Sequence, residues 1–414
     1  MTSRSMQPPL TPGTSGNNSN RLFQFVSTRF ITIEAAHQKF DTRFMTPLRI
    51  LHSEAATSFG GQEHRIYNEM LAMRDRGHSL EAICQPEALL TQRLRAQGFV
   101  VHTTSMDGPA NFARSVIKVR SILIAGRFDV LNCHSRRDTL IAATAGRLAG
   151  TSLIVRTRHL ANKPHSLLSY TVIPHKVVTV SEYVRQNLIE RGVRPDDVAT
   201  VLSPIQMPPP VRQSTLRAEL GLTSSDIVVG CVAVMRAQKG HCDLIDAMEP
   251  LIHERSGIHL VFVGGGSPVF EQVQAYVAEK RLQRQVHLMG ARSDVPNLMA
   301  GFDLFALATR KEASGTVFAE AEAAGLPVVG TDVGGVREML QDGVSGMLVQ
   351  LQDTMALTAS LRKLIDDPDL RRRMGSAGLR FTRGDGRFSP QATAQCMESC
   401  YVRWLNELRV PLPD

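Results

Sequence analysis

Four prolines fall within seven residues, at Pro204, Pro208, Pro209 and Pro210, and this stretch limits the possible folds more than any other. Each proline fixes φ and removes a backbone donor, so residues 204–210 fit neither a helix interior nor a central strand. They read as a stiff linker. On both sides of it, short apolar runs alternate with helical segments. Strand candidates before it cover residues 48–52, 78–84, 99–103, 129–133, 152–157, 176–180 and 198–202. Those after it cover 227–234, 259–263, 286–289, 304–307, 327–330 and 346–349. Runs that do not alternate apolar with polar suit parallel strands buried on both faces. The expectation is an α/β chain with two Rossmann-like, doubly wound parallel-sheet domains facing across a cleft.

The linker sets the boundaries. Residues 1–46 are rich in Ser, Thr, Asn, Pro and Gly near their start, carry no acidic residue before Glu34, and read as a disordered N-terminal extension. They lack the continuous apolar core of a secretory signal, although their Arg and Ser content loosely resembles a transit peptide. Residues 47–203 form the first domain, 204–213 the linker and 214–388 the second domain. Residues 389–414 hold a last amphipathic helix with the only tryptophan, Trp404. A chain of 414 residues is long enough for two separate cores.

The most informative stretch runs from Glu312 to Glu338. A loop of small residues, Ala313-Ser314-Gly315-Thr316, precedes a helix that stops at Gly325; a short strand at 327–329 and a Gly334-Gly335 turn follow. Free N–H groups and the positive end of the helix dipole meet there, as an anionic ligand requires. Glu312 lies before the helix and Glu320 one turn inside it, both able to accept hydrogen bonds from sugar or ribose hydroxyls. Read alone, the stretch is equally an ordinary loop, helix and strand of an α/β domain. The same openness holds elsewhere. Arg236 and Lys239 end the first strand of the second domain, where two cations suit a diphosphate or a solvated turn. Gly264 begins a glycine cluster after a strand, without the full dinucleotide-binding spacing. Gly60-Gly61 is a phosphate-approaching or a plain turn, and His134 after its strand is a cleft or a structural histidine.

These residues in this order resemble the signature of the family 4 glycosyltransferases. The matching positions are Glu312, Glu320, Ala321, Gly325, Pro327, Val328, Val329, Asp332, Val333, Gly334, Gly335 and Glu338. The resemblance spans roughly residues 48–408 in domain order. It implies a GT-B fold, with the first domain for the acceptor, the second for the donor, and the last helix crossing back to the first. It also implies a retaining, metal-independent transfer of a sugar from a nucleotide diphosphate-sugar, with that co-substrate in place of any cofactor.

On the family pattern, Glu312 and the amides of Ser314, Gly315 and Thr316 hold donor sugar and phosphate, and Glu320 takes the ribose hydroxyls. Arg236 and Lys239 bind the diphosphate and stabilise the leaving group. His134 contacts the reacting sugar, and His159 resembles another cleft-facing histidine of relatives. Gly60, Gly61 and Gly264 lie near the donor, and Val295 passes the base. Relatives often read Glu-Gly-Phe-Gly where this chain has Glu312-Ala313-Ser314-Gly315, which reshapes the loop. Met299 stands where many carry tyrosine. Ser181-Glu182 matches a family Val-Ser pattern read as structural.

The expected partners are a nucleotide-sugar donor and a glycan or lipid-linked acceptor, in lipopolysaccharide or other surface-polysaccharide assembly, with no nucleic acid. Residues 112–128 are cationic and amphipathic, either a crossover helix or a peripheral contact with anionic membrane. The formal net charge of +8 suits acidic partners. Six scattered cysteines without a Cys-x-x-Cys pair fit a reducing cytoplasm, and no apolar run approaches the roughly 20 residues of a membrane span. No nucleophile elbow or metal-ligand spacing is present. The rival readings are a nucleotide-sugar epimerase or hydrolase of the same fold, and a non-catalytic sugar-nucleotide-binding protein.

Overall fold

Thirteen strands form among the described residues, which are 46–409 except His165, Gln206, Pro208, Pro209, Pro210 and Arg212 in this computed structural model. The extension read over residues 1–46, Thr46 apart, and Pro208, Pro209 and Pro210 of the linker lie outside the described residues. The first sheet holds β1 (Arg49–Glu54), β2 (Ser79–Cys84), β3 (Val100–Thr103), β4 (Val130–Cys133), β5 (Leu153–Arg158), β6 (Lys176–Thr179) and β7 (Val198–Thr200). The second holds β8 (Ile227–Val232), β9 (Ile258–Val263), β10 (Val286–Leu288), β11 (Leu304–Leu307), β12 (Val328–Thr331) and β13 (Gly346–Val349).

Their orders are β3-β2-β1-β4-β5-β6-β7 and β10-β9-β8-β11-β12-β13, and every pairing is parallel. Both sheets therefore start at a central strand, wind to one edge, and return past the start to the other. Each reversal, beside β1 and β4 or beside β8 and β11, opens a crevice at the strand C-termini where ligands of such sheets bind. Strands β4, β5, β6, β9, β11 and β12 are buried along their whole length, as strands covered on both faces are, and each is built around a short apolar run.

The chain crosses between the sheets at Ile205 and again at Phe388, and the Ile205 amide donates to the Phe388 carbonyl (2.9 Å). Beyond the second crossing, the Pro390–Arg409 helix lays Ala394, Met397, Tyr401 and Trp404 into the core of the first sheet, against residues such as Ile50 and Met70. Polar contacts fix its register. The Glu398 carboxylate accepts from Arg76 Nε (2.8 Å) and lies 3.0 Å from His78 Nε2, while the Tyr401 hydroxyl accepts from Asn132 Nδ2 (2.9 Å). Trp404 is fully buried, and truncating such a ring to alanine costs about 3–5 kcal/mol.

Candidate active site

The candidate residues collect where the C-terminal edges of the two sheets meet. In the second sheet, backbone bonds stitch the loops after β8, β9, β10 and β11 into one rim. Met235 N donates to Gly265 O (2.9 Å), Gly264 N to Gly290 O (2.8 Å), and Arg310 N to Gln238 O (2.7 Å). Two glycines permit this closeness. A Cβ on Gly264 would stand 1.9 Å from the Ala233 carbonyl oxygen, and one on Gly240 1.9 Å from that of Ala308. Gly264 is thus required by the packing of the rim itself.

Lys239 closes the Ala237–Lys239 turn and reaches Glu312, its Nζ 2.5 Å from Glu312 Oε2. Arg236, one turn earlier, is exposed, and its guanidinium pairs with no described residue. Arg310, not singled out in the sequence, is held by Asp243 through two bonds of 2.7 Å. Val295 begins the short Val295–Met299 helix on the same rim, and Met299 is buried.

Gly315 (φ +82°) turns the chain into the Thr316–Ala323 helix. The amides of Ser314, Gly315 and Thr316 donate to no described residue, while the Ser314 hydroxyl turns inward to Met339 Sδ (3.8 Å). Three N–H groups at a helix start are thus left for an anion. Glu320, half-buried among protein atoms, has its carboxyl pushed up to about 7 by burial, partly offset by the Thr316 hydroxyl. Gly334 and Gly335 hold the loop from below. A Cβ on Gly334 would lie 1.8 Å from Glu312 O, and one on Gly335 2.4 Å from Ala313 O.

The same loop touches the other sheet. Ser181, just after β6, donates its hydroxyl to Ala313 O (2.5 Å) and accepts from Val184 N (3.2 Å). Glu338 accepts from Glu182 N (2.8 Å) and Tyr183 N (3.0 Å), and Arg185 N donates to Ser181 O (3.1 Å). All four leading N–H groups of the Glu182–Ile189 helix are thereby satisfied, two of them by a carboxylate from the opposite domain. Residues that looked structural or merely part of a motif in the sequence form the clasp across the cleft.

In the first domain, Gly60 caps and Gly61 begins the Gly61–Asp75 helix. Gly60 N donates to Glu63 Oε2 (2.7 Å), and a Cβ on Gly61 would meet nothing within 4 Å. Neither glycine has a positive φ. His134 is buried, with His52 Nδ1 2.9 Å from its Nε2 and His159 Nε2 3.1 Å from its Nδ1. Asp138 braces the His134 loop, accepting from the amides of His134 (2.8 Å) and Ser135 (2.7 Å) and from the Ser53 hydroxyl (2.8 Å). Burial pushes the neighbouring Glu54 carboxyl up to about 8, with the Asp138 charge adding to it. His52, Ser53 and Glu54 were not picked out in the sequence. Their signal was three polar residues in a row ending a buried strand.

Two family models match consecutive parts of the chain: Glycosyltransferase Family 4 over residues 59–206 and Glycosyl transferases group 1 over residues 212–381. The chain belongs to the family 4 glycosyltransferases. This glycosyltransferase is 28% identical over 271 residues to the N-acetyl-alpha-D-glucosaminyl L-malate synthase of Bacillus anthracis, covering 62% of this chain and 71% of the relative. It is 21% identical over 342 residues to the UDP-Gal:alpha-D-GlcNAc-diphosphoundecaprenol alpha-1,3-galactosyltransferase of Escherichia coli, covering 77% and 88%. Anabaena Alr3699/HepE, solved in complex with UDP, superposes with a TM-score of 0.77 at 21% identity, over 86% of this chain and all of that one. The glycosyltransferase thus has the GT-B fold. Among the described residues, no helix is long and apolar enough to cross a membrane.

Proposed function

We propose that this glycosyltransferase moves a sugar from a nucleoside diphosphate-sugar to an acceptor hydroxyl, with retention and without a metal ion. The observation that carries the reading is the meeting of Lys239 and Glu312 beside the unpartnered amides of Ser314 to Thr316. In this reading Arg236 and Lys239 face the diphosphate, the loop amides take phosphate oxygens, Glu312 a sugar hydroxyl and Glu320 the ribose. As the bond from sugar C1 to the phosphate oxygen breaks, negative charge grows on that oxygen, and the two cations and the helix start offset it. The acceptor oxygen bonds to C1 on the face the phosphate leaves, and its proton passes to a phosphate oxygen.

The acceptor is proposed to be lipid-linked, in surface-polysaccharide or lipopolysaccharide assembly, as the diphosphoundecaprenol acceptor named for the Escherichia coli relative supports. The first domain adds a physical reason. Its Pro109–Gly126 helix carries no acidic residue and exposes Phe112, Ile117 and Ile124 beside Arg114, Lys118 and Arg120. Arg120 Nε donates to Leu148 O (3.0 Å), which joins the exposed Leu148 side chain to the same apolar and cationic face. Such a face suits peripheral contact with an anionic bilayer.

The deciding experiment is a melting series with uridine, guanosine and adenosine diphosphate-sugars, followed by turnover of the best binder. A donor at 100 times its Kd should stabilise the protein by about 2.7 kcal/mol. Wild type should transfer sugar, and Glu312→Ala should bind weakly and turn over nothing. Binding without any turnover by wild type would support the non-catalytic rival, and turnover to free sugar or an epimer alone would support the other.

A further inference from the structure

Among the described residues, four lysines or arginines are buried: Arg65, Arg156, Arg158 and Lys176. Two of them are neutralised. Arg65 Nε lies 3.4 Å from Glu69 Oε2, and Lys176 Nζ lies 2.9 Å from Asp197 Oδ1. Arg156 and Arg158 pair with no described carboxylate and meet neutral oxygens instead. Arg156 Nη1 donates to Ser169 O (3.0 Å) and to the Ser169 hydroxyl. Arg158 donates to the Tyr170 hydroxyl and to the Asn162 carbonyl. Both guanidinium groups lie over the Tyr170 ring, 3.8 Å and 5.1 Å from its centre. Arg156 Nε is buried and has no partner.

The sequence carries the same deficit, with no acidic residue between Asp138 and Glu182. The Asp138 charge reaches Arg156, but the Asp138 oxygens already accept from Ser53, Ser135 and the His134 amide. Burial depresses the Arg156 pKa; Tyr170 and Asp138 oppose this, and the Arg158 charge adds to it. Buried cations without a counter-charge are costly, and these two stand side by side. Such a pair is half of an anion site. The donor diphosphate has its own cations and amides on the second sheet, so the anion expected here is a different one.

Its surroundings identify it. Arg156 and Arg158 lie on one face of β5 and end it at the C-terminal edge of the first sheet. Beside them Leu160, Leu168 and Val172 are each more than half exposed. Leu160 lies two residues before Asn162, which holds Arg158, and Leu168 directly precedes Ser169, which holds Arg156. Arg147 Nη2 donates to Val172 O (3.0 Å), which ties this apolar group to the face carrying Leu148. Hydrocarbon and uncompensated positive charge therefore meet at one place.

Resting on the lipid-linked acceptor proposed above, we propose that Arg156 and Arg158 form an acceptor subsite for the phosphoryl group that joins the lipid to its sugar. The lipid chain lies over Leu160, Leu168 and Val172. The planar guanidinium groups offer N–H donors to phosphoryl oxygens, which a neutral lipid lacks. The anion supplies the missing counter-charge, and the chain covers the exposed side chains.

The test titrates the full chain, its donor site filled with the nucleoside diphosphate of the best binder in the melting series. The probes are farnesyl diphosphate, inorganic pyrophosphate and farnesol. Farnesyl diphosphate should bind, pyrophosphate more weakly, and farnesol weakest of the three. Arg158→Gln should weaken farnesyl diphosphate at least tenfold, the worth of a charged hydrogen bond, and leave the nucleotide Kd unchanged. A merely structural arginine would not give that split. Leu168→Ser, a surface change that judges the site even if Arg158→Gln does not fold, should weaken farnesyl diphosphate several-fold and leave pyrophosphate unchanged. Farnesyl diphosphate binding equal to wild type in either variant overturns the proposal. So does an Arg158→Gln loss confined to phosphatidylglycerol vesicles, which would make the pair a headgroup contact. If wild type transfers no sugar, the functional reading fails on its own, and these titrations still judge the subsite.

Discussion

Lys239 Nζ lies 2.5 Å from Glu312 Oε2, and the two residues are 73 positions apart in the chain. Their side chains are 19% and 16% exposed, between the surface and the buried case. Exposed pairs contribute about 0–1 kcal/mol, whereas removing one partner of a buried pair costs several. Lys239→Met should therefore destabilise the protein by about 1–3 kcal/mol in urea unfolding, because the Glu312 carboxylate loses its cation. Adding Glu312→Gln should return at least half of that. Strictly additive losses in the double mutant would show that the contact is incidental.

Glu338 joins the domains through two backbone N–H groups at the start of the Glu182–Ile189 helix. A carboxylate there is worth about 1 kcal/mol through the hydrogen bonds and the helix dipole. Glu338→Ala should open the cleft, raising the radius of gyration in solution scattering and the KM for donor. Ser181 and the glycines place this clasp on the backbone of the donor loop, so closure and loop position should change together. An unchanged scattering profile and KM would make the contact passive.

Two glycines separate structural from ligand demand. Gly334 has φ +58° and no room for a Cβ beside Glu312 O, so Gly334→Ala should shift the donor loop at a cost of about 1–3 kcal/mol. Gly61 has open space and an ordinary φ, so Gly61→Ala should leave the melting temperature level or slightly higher. If the donor approaches the backbone there, Gly61→Ala still raises its KM. A melting loss in Gly61→Ala, or an unaltered KM, contradicts this assignment.

Glu322 is fully buried, with Ser345 Oγ on one carboxylate oxygen (2.5 Å) and no partner on the other. Burial pushes its pKa from 4.5 up to about 8. The native state then holds this proton more tightly than the unfolded chain. Its contribution is greatest below pH 4.5, is lost as pH rises toward 8, and is level above that. Glu54 and Glu320 act with the same sign. Glu322→Gln should shrink the difference in urea-unfolding free energy between pH 5.5 and 8.5 by an amount on the order of a few kcal/mol. An equal difference in both proteins would place the pH dependence elsewhere.

Each of the thirteen strands among the described residues overlaps a run legible in the sequence, because strands covered on both faces are built around short apolar runs that do not alternate with polar residues. The Glu312–Glu338 stretch was legible for a similar reason. Its glycines, its helix start and its carboxylates answer to local backbone geometry, and local geometry is written in adjacent residues. The clasp was not legible. Ser181 and Glu338 are each ordinary in their own neighbourhood and gain their role only when two sheets face each other.

The sequence by itself determined the two wound sheets and the acidic and basic residues at the strand ends. These follow from burial pattern and helix-start chemistry, which act over a few residues. Only the tertiary structure decided that Lys239 lies against Glu312, that Glu338 caps a helix of the other domain, and that both nitrogens of His134 are occupied by other histidines. A hydrogen bond depends on separation in space to a few tenths of an ångström, and residues far apart in sequence reach that separation only once the parallel strands are in register.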